Sequence, residues 1–104
     1  MTVTPVIPVI PVTKPTVRFA VYGGVRAGNP DDVPTNNVTD ALQAAIDKSI
    51  LGGGPNSGHV KIDNPTMGGD PANRVVKNFG AVVDYPGGTR RFFACKENDT
   101  IDFT

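Results

Sequence analysis

The chain has 104 residues, enough for one domain with one modest core. Ten basic side chains are balanced by ten acidic ones, so there is no summed positive field to draw the protein to a nucleic-acid polymer or an anionic membrane. Zero net charge also protects solubility poorly, which favours a homo-oligomer or a docked partner.

The first sixteen residues read as an extended arm. Prolines at 5, 8 and 11 repeat every third residue, the period of polyproline II, and line one edge of the segment. That spacing excludes a helix and interrupts any apolar signal-peptide core or membrane span. With Val and Ile between the prolines, the arm reads as a tail, a ligand for a proline-recognising domain or an oligomer contact.

"VRFAVYG" at 17 to 23 alternates as a half-buried strand, with Val17, Phe19 and Val21 on the inward face and Arg18 and Tyr22 on the other. Residues 25 to 37 are rich in turn formers and read as a loop. In "NVTDALQAAIDKSI", Val38, Leu42, Ala45, Ile46 and Ser49 form one helical stripe. Asn37 or Thr39 is placed to cap that helix, Asp40 falls in its first turn and Lys48 in its last, and "GGGPNSG" ends it.

"HVKID" is a short strand with Val60 and Ile62 inward. "VVKNFGAVVDY" places Phe79, Ala81, Val83 and Tyr85 on one face, Pro86-Gly87-Gly88 turns a hairpin, "TRRFFACKE" returns, and "TIDF" adds a last strand. The order strand, helix and four strands predicts an α+β domain over residues 17–104, with a single helix packed on a largely antiparallel sheet of about five strands.

These segments also carry a resemblance. "VRFAVYG", "NVTDALQAAI", "HVKIDN", "GGDP", "VKNFGAVV" and "ENDTIDF" are similar to the small C-terminal domain of DnaJ subfamily C member 11 proteins and its stand-alone bacterial relatives. The likeness spans most of residues 17 to 103, and its sharpest element is Gly69-Asp70-Pro71 with Lys77 six residues on. It implies a small β-rich accessory or binding module with no established reaction. Asn73 and Arg74 stand where that pattern has Pro-Gly, and the 24–37 loop is longer.

Two stretches carry candidate chemistry. Gly68 and Gly69 can turn successive N–H groups toward an anion, with Arg74 and Lys77 supplying charge. Against this, Asp70 and Pro71 suit the N-cap and first position of a turn, and the G-x-x-x-x-G-K-[ST] phosphate loop is absent. In the second stretch, Arg90 and Phe92 alternate with Arg91 and Phe93, giving each strand face one cation and one ring that can stack a base and pair a phosphate. The bland alternatives are a structural corner and a hairpin that buries one of its rings.

Other chemistry is thin. Cys95 is the only cysteine, so no intrachain disulfide forms and the cytoplasm is the default compartment. Cys95 and His59 form the one available thiol–imidazole pair, and they are too few for a zinc site. Asp31, Asp32, Asn36 and Asn37 lack the spacing of a calcium loop. The residues therefore read as a non-catalytic binding module without a cofactor. It would sequester a small anionic, nucleotide-like ligand in an oligomer, at Gly68, Gly69, Arg74, Lys77, Arg90, Arg91 and Phe92. The alternative is a protein-interaction module that docks through the sheet edge or the arm.

Overall fold

An irregularity in the first strand decides which side chains enter the core. The computed structural model describes residues 14–26, 29 and 31–104, so the proline-spaced stretch 1–13 lies outside the described residues. Along the chain come β1 (Thr16–Gly23), β2 (Thr35–Asn37), α1 (Thr39–Gly52), β3 (His59–Lys61), β4 (Asn78–Asp84), β5 (Arg90–Lys96) and β6 (Thr100–Asp102). One sheet has the order β2-β1-β4-β5, all antiparallel, and β3 pairs with β6 in a second, two-stranded sheet. The fold is α+β as predicted, with its strands divided between two sheets.

Val17 lies opposite Val83, but Phe19 lies opposite Val82, so Arg18 is an extra residue in β1. An extra residue reverses the face of everything after it. Val17 is buried, and Ala20 and Tyr22 follow it inward, while Phe19 is 50% exposed. The expected inward set of Val17, Phe19 and Val21 is thus corrected: Phe19 and Val21 belong to the opposite face. Simple alternation failed here because "VRFAVY" carries apolar residues at both parities.

β2 lies within the segment read as loop. Two of its three residues, Asn36 and Asn37, disfavour a strand, and it is held by pairing with Val21, Tyr22 and Gly23. Beyond β2 the same edge of β1 is covered by the helix. The Val38 N–H donates to the Ala20 carbonyl at 2.9 Å, and the Thr39 hydroxyl oxygen accepts the Ala20 N–H at 3.0 Å. Gln43 Oε1 accepts the Val17 N–H at 2.7 Å while Gln43 Nε2 donates to the Pro15 carbonyl at 3.1 Å. Asn37 Oδ1 accepts the Thr39 N–H at 3.0 Å at the helix start. The helix runs past Ile50 to Gly52, so Lys48 falls short of the last turn, which holds no basic residue.

Leu42 and Ile46, one turn apart on α1, are fully buried. They join Tyr22, Phe79, Ala81 and Val83 of the large sheet and Val60 of the small one, with Ile62 and Phe103 just past its strands, in a single core. Burying each large side chain contributes about 1.5–3 kcal/mol. β4 and β5 follow their predicted alternation, and the Gly88 N–H closes the Tyr85–Gly88 turn on the Tyr85 carbonyl at 3.2 Å. Gly87 has φ 90°, the positive value that the position after proline in a type II turn demands. Among the described residues no buried side-chain nitrogen or oxygen lacks a partner, and no helix is long and apolar enough to cross a membrane.

Candidate functional site

The glycine loop is closed on itself. The Gly69 N–H donates to the Asn64 carbonyl at 2.8 Å and the Gly68 N–H to the Pro65 carbonyl at 3.4 Å, so both N–H groups are used inside the loop. Their positive φ values, 89° and 147°, serve that turn. Asp70 Oδ1 accepts the Ala72 N–H at 3.0 Å, the capping role its sequence position suggested.

Lys77 is buried, and its Nζ lies 2.7 Å from Asp70 and 3.7 Å from Glu97. The hydrogen bond from Lys77 holds the Asp70 carboxyl below its ordinary value, aided by the Ala72 N–H. Glu97 also accepts the Lys77 N–H at 3.1 Å, and the Glu97 N–H donates to the Lys77 carbonyl at 2.8 Å. The ammonium therefore ties the loop to the end of β5. Arg74 is exposed, with φ 63°.

On the hairpin, Arg90 grips Asp84 through two bonds of 2.7 and 3.3 Å, and Arg18 reaches the same carboxylate at 3.4 Å. Arg91 lies over the rings of Tyr85 and Phe93, 5.1 and 5.0 Å from their centres. Phe93 packs on Phe103 with ring centres 4.8 Å apart, while Phe92 points the other way and is 75% exposed. The seven expected ligand residues thus occupy three places. Gly68, Gly69, Arg74 and Lys77 belong to the loop, Arg91 to the helix-side face, and Arg90 and Phe92 to the opposite face.

That opposite face is what sequence reasoning missed. Among the described residues no helix covers it, and the strand registers align Phe19, Val82 and Phe92 in one row and Val21, Gly80 and Ala94 in the next. A shallow cleft of about 330 Å³ continues it past Val21 and Gly80 to Val25 and Val33, both nearly half exposed. A second, larger groove of about 770 Å³ runs between α1 and β3. Lys48, Ser49, His59, Lys61 and Thr66 line it, no carboxylate does, and His59 Nε2 sits 3.2 Å from Asp102.

The β5 edge borders the open face. Tyr85 donates its N–H to Thr89 at one end of the β4–β5 ladder, and Glu97 donates to Lys77 at the other. Antiparallel pairs alternate, so Arg91, Phe93 and Cys95 bond to β4, while Arg90, Phe92, Ala94 and Lys96 turn their backbone groups outward. Lys96 is answered by Asp99, whose carboxylate accepts its N–H at 3.2 Å and whose N–H bonds its carbonyl at 3.2 Å. Among the described residues nothing pairs with the outward backbone groups of Arg90, Phe92 and Ala94.

Cys95 lies opposite Phe79, and burial, with a smaller contribution from Asp99, pushes its thiol up to about 11. His59 stands on the other sheet. Among the described residues no three metal-ligating side chains of the His, Cys, Asp and Glu types gather. No protein-family model, curated protein or solved structure matches the chain. The likeness to the DnaJ subfamily C member 11 domain rests on the quoted motifs alone.

Proposed function

We propose that this chain is a non-catalytic interaction module of the cytoplasm that docks a polypeptide through its open sheet face and the β5 edge. The observation that carries the reading is the row Phe19–Val82–Phe92, both of whose rings are half or more exposed beside backbone groups that nothing among the described residues pairs with. An added strand would take its affinity from those backbone groups and its specificity from the apolar row. The protonated state of Cys95 at neutral pH supports the non-catalytic part, since the thiolate is the nucleophile.

A photo-reactive phenylalanine analogue at position 92 tests this when placed in the protein inside its producing cells. Position 51 is the control, because Leu51 is 89% exposed at the far end of the helix. Adducts to polypeptide at 92 and none at 51 are expected. Equal labelling at both, or none at 92, would sink the reading.

The groove between α1 and β3 favours a second reading, in which a small anionic ligand is sequestered. Lys48, Lys61 and, when protonated, His59 would meet its charge over a floor of alanines. Calorimetric titration with a panel of nucleotides tests it. Heat that disappears in Lys61→Ala supports the groove, and no heat from any member of the panel removes it.

A further inference from the structure

The unpaired backbone groups of β5 form a short window with a centre. Arg90, Phe92 and Ala94 present N–H and C=O groups that nothing among the described residues takes. On one side lies the hairpin turn, where the Gly88 N–H is taken by Tyr85, and on the other lies Lys96, taken by Asp99. The window is therefore symmetric about Phe92. A two-fold axis needs such an arrangement, because in an isologous contact residue i meets residue j of the second copy and j meets i, with only the residue on the axis meeting itself.

We propose that a second copy of this chain is the strand that β5 takes, paired antiparallel with the two-fold axis at Phe92. This rests on the reading of β5 as a docking edge and names its occupant. Phe92 pairs with Phe92 of the second copy, and Arg90 pairs with Ala94 on either side, so every free backbone group in the window is used. The two sheets become one sheet of eight strands, and the Phe19–Val82–Phe92 rows of the two copies run end to end on one face.

Charge favours this register over its neighbours. Arg91 falls opposite Phe93, extending across the axis the guanidinium–ring contact it already makes within the chain. A slip of the axis to Arg90 would set two arginines face to face, which is unfavourable in a cross-strand pair. A slip to Ala94 would require the N–H and carbonyl of Lys96, already used by Asp99. An axis at Arg91 would also oppose two arginines and set Ala94 against Gly88, whose N–H is taken, and an axis at Phe93 would set Arg90 against Lys96. The Phe92 axis alone uses every free group of the window, while the cations of β5 blunt indiscriminate edge pairing. Zero net charge adds no repulsion between copies.

Sedimentation equilibrium and disulfide trapping test the pairing. The wild type is expected to sediment as a dimer. Ala94→Pro removes an outward N–H without touching the β4 ladder, and it should give a folded monomer. If that proline unfolds the chain, Phe92→Lys replaces it: two ammonium groups then meet at the axis and the dimer should weaken about tenfold or more. In a Cys95→Ser background, Phe92→Cys should form a disulfide between copies, because paired Cα atoms about 5.5 Å apart suit that bond. Ala94→Cys alone should not.

A wild type that stays monomeric at millimolar concentration overturns the inference. If such a monomer still yields polypeptide adducts at position 92, the docking edge stands and only the occupant was wrong. A dimer that survives both Ala94→Pro and Phe92→Lys overturns the inference. If position 92 then also yields no adducts, the β5 reading falls with it.

Discussion

The two faces of the four-stranded sheet are built from the same strands, yet they meet different surroundings. On the helix side, Phe79 is 3% exposed and Ala81 and Val83 are buried under α1 and the small sheet. One residue along each strand, Phe19, Val82 and Phe92 stand in a row that nothing among the described residues covers. Both rows are apolar, so hydrophobicity alone does not separate them. What separates them is where α1 lies, and Leu42 and Ile46 pack it on one face. Among the described residues, a sheet with two apolar faces and one helix is left with a face to spare.

The largest effect that could break this comparison comes from matched truncations. Phe79→Ala should destabilise the chain by about 3–5 kcal/mol, since the ring is enclosed and its loss leaves a cavity. Phe92→Ala should change stability by no more than about 0.5 kcal/mol in the isolated chain, because the ring gains little from folding. Urea unfolding at a concentration low enough to keep the chain monomeric measures both. Similar losses from the two variants would mean that something already covers the outer row.

This asymmetry was legible in β4 and β5 and illegible in β1. "NFGAVVD" has polar or small residues at most outward positions, so Phe79, Ala81 and Val83 declare their face. In β1 the apolar residues sit at both parities, and only pairing with β4 reveals the extra residue at Arg18. The candidate loop shows the same division. Asp70 as a cap could be read locally, because its acceptor role spans two residues. The burial of Lys77 could not, since its second carboxylate, Glu97, is twenty residues away at the end of another strand. β2 was invisible because its partner, not its composition, makes it a strand.

A middle-sized effect sharpens how the covered side is closed. The Tyr22 hydroxyl donates to Asn64 Oδ1 at 2.6 Å and joins β1 to the loop over the core. Burial first, then the carboxylates of Glu97, Asp70 and Asp63, pushes its phenol up to about 12, so it remains a donor at any ordinary pH. Tyr22→Phe should cost about 1–2 kcal/mol by leaving the amide oxygen without its donor. Its signature is faster amide exchange in the 64–72 segment than in β5. Uniform acceleration across the chain would mean that the bond does not act on the loop.

The smallest effect concerns Asp70, and pH identifies it. Its folded carboxyl lies below the ordinary 3.8, mainly through the bond from Lys77, whereas in the unfolded chain it titrates near that value. Between the two values the unfolded state binds more protons, so acid favours unfolding there. The stabilisation is complete above the unfolded value and is lost as pH falls through the folded one. Asp70→Asn keeps an oxygen for the Ala72 N–H and leaves Lys77 its contact with Glu97, so the fold should survive. The stability gap between wild type and variant should be widest near neutrality and should close as pH drops below 3.8. Because Asp70 is largely exposed, the gap should be narrower than that of Tyr22→Phe. A gap that stays constant down to acid would show that the variant acts through the shape of the loop rather than through the charge that Lys77 holds.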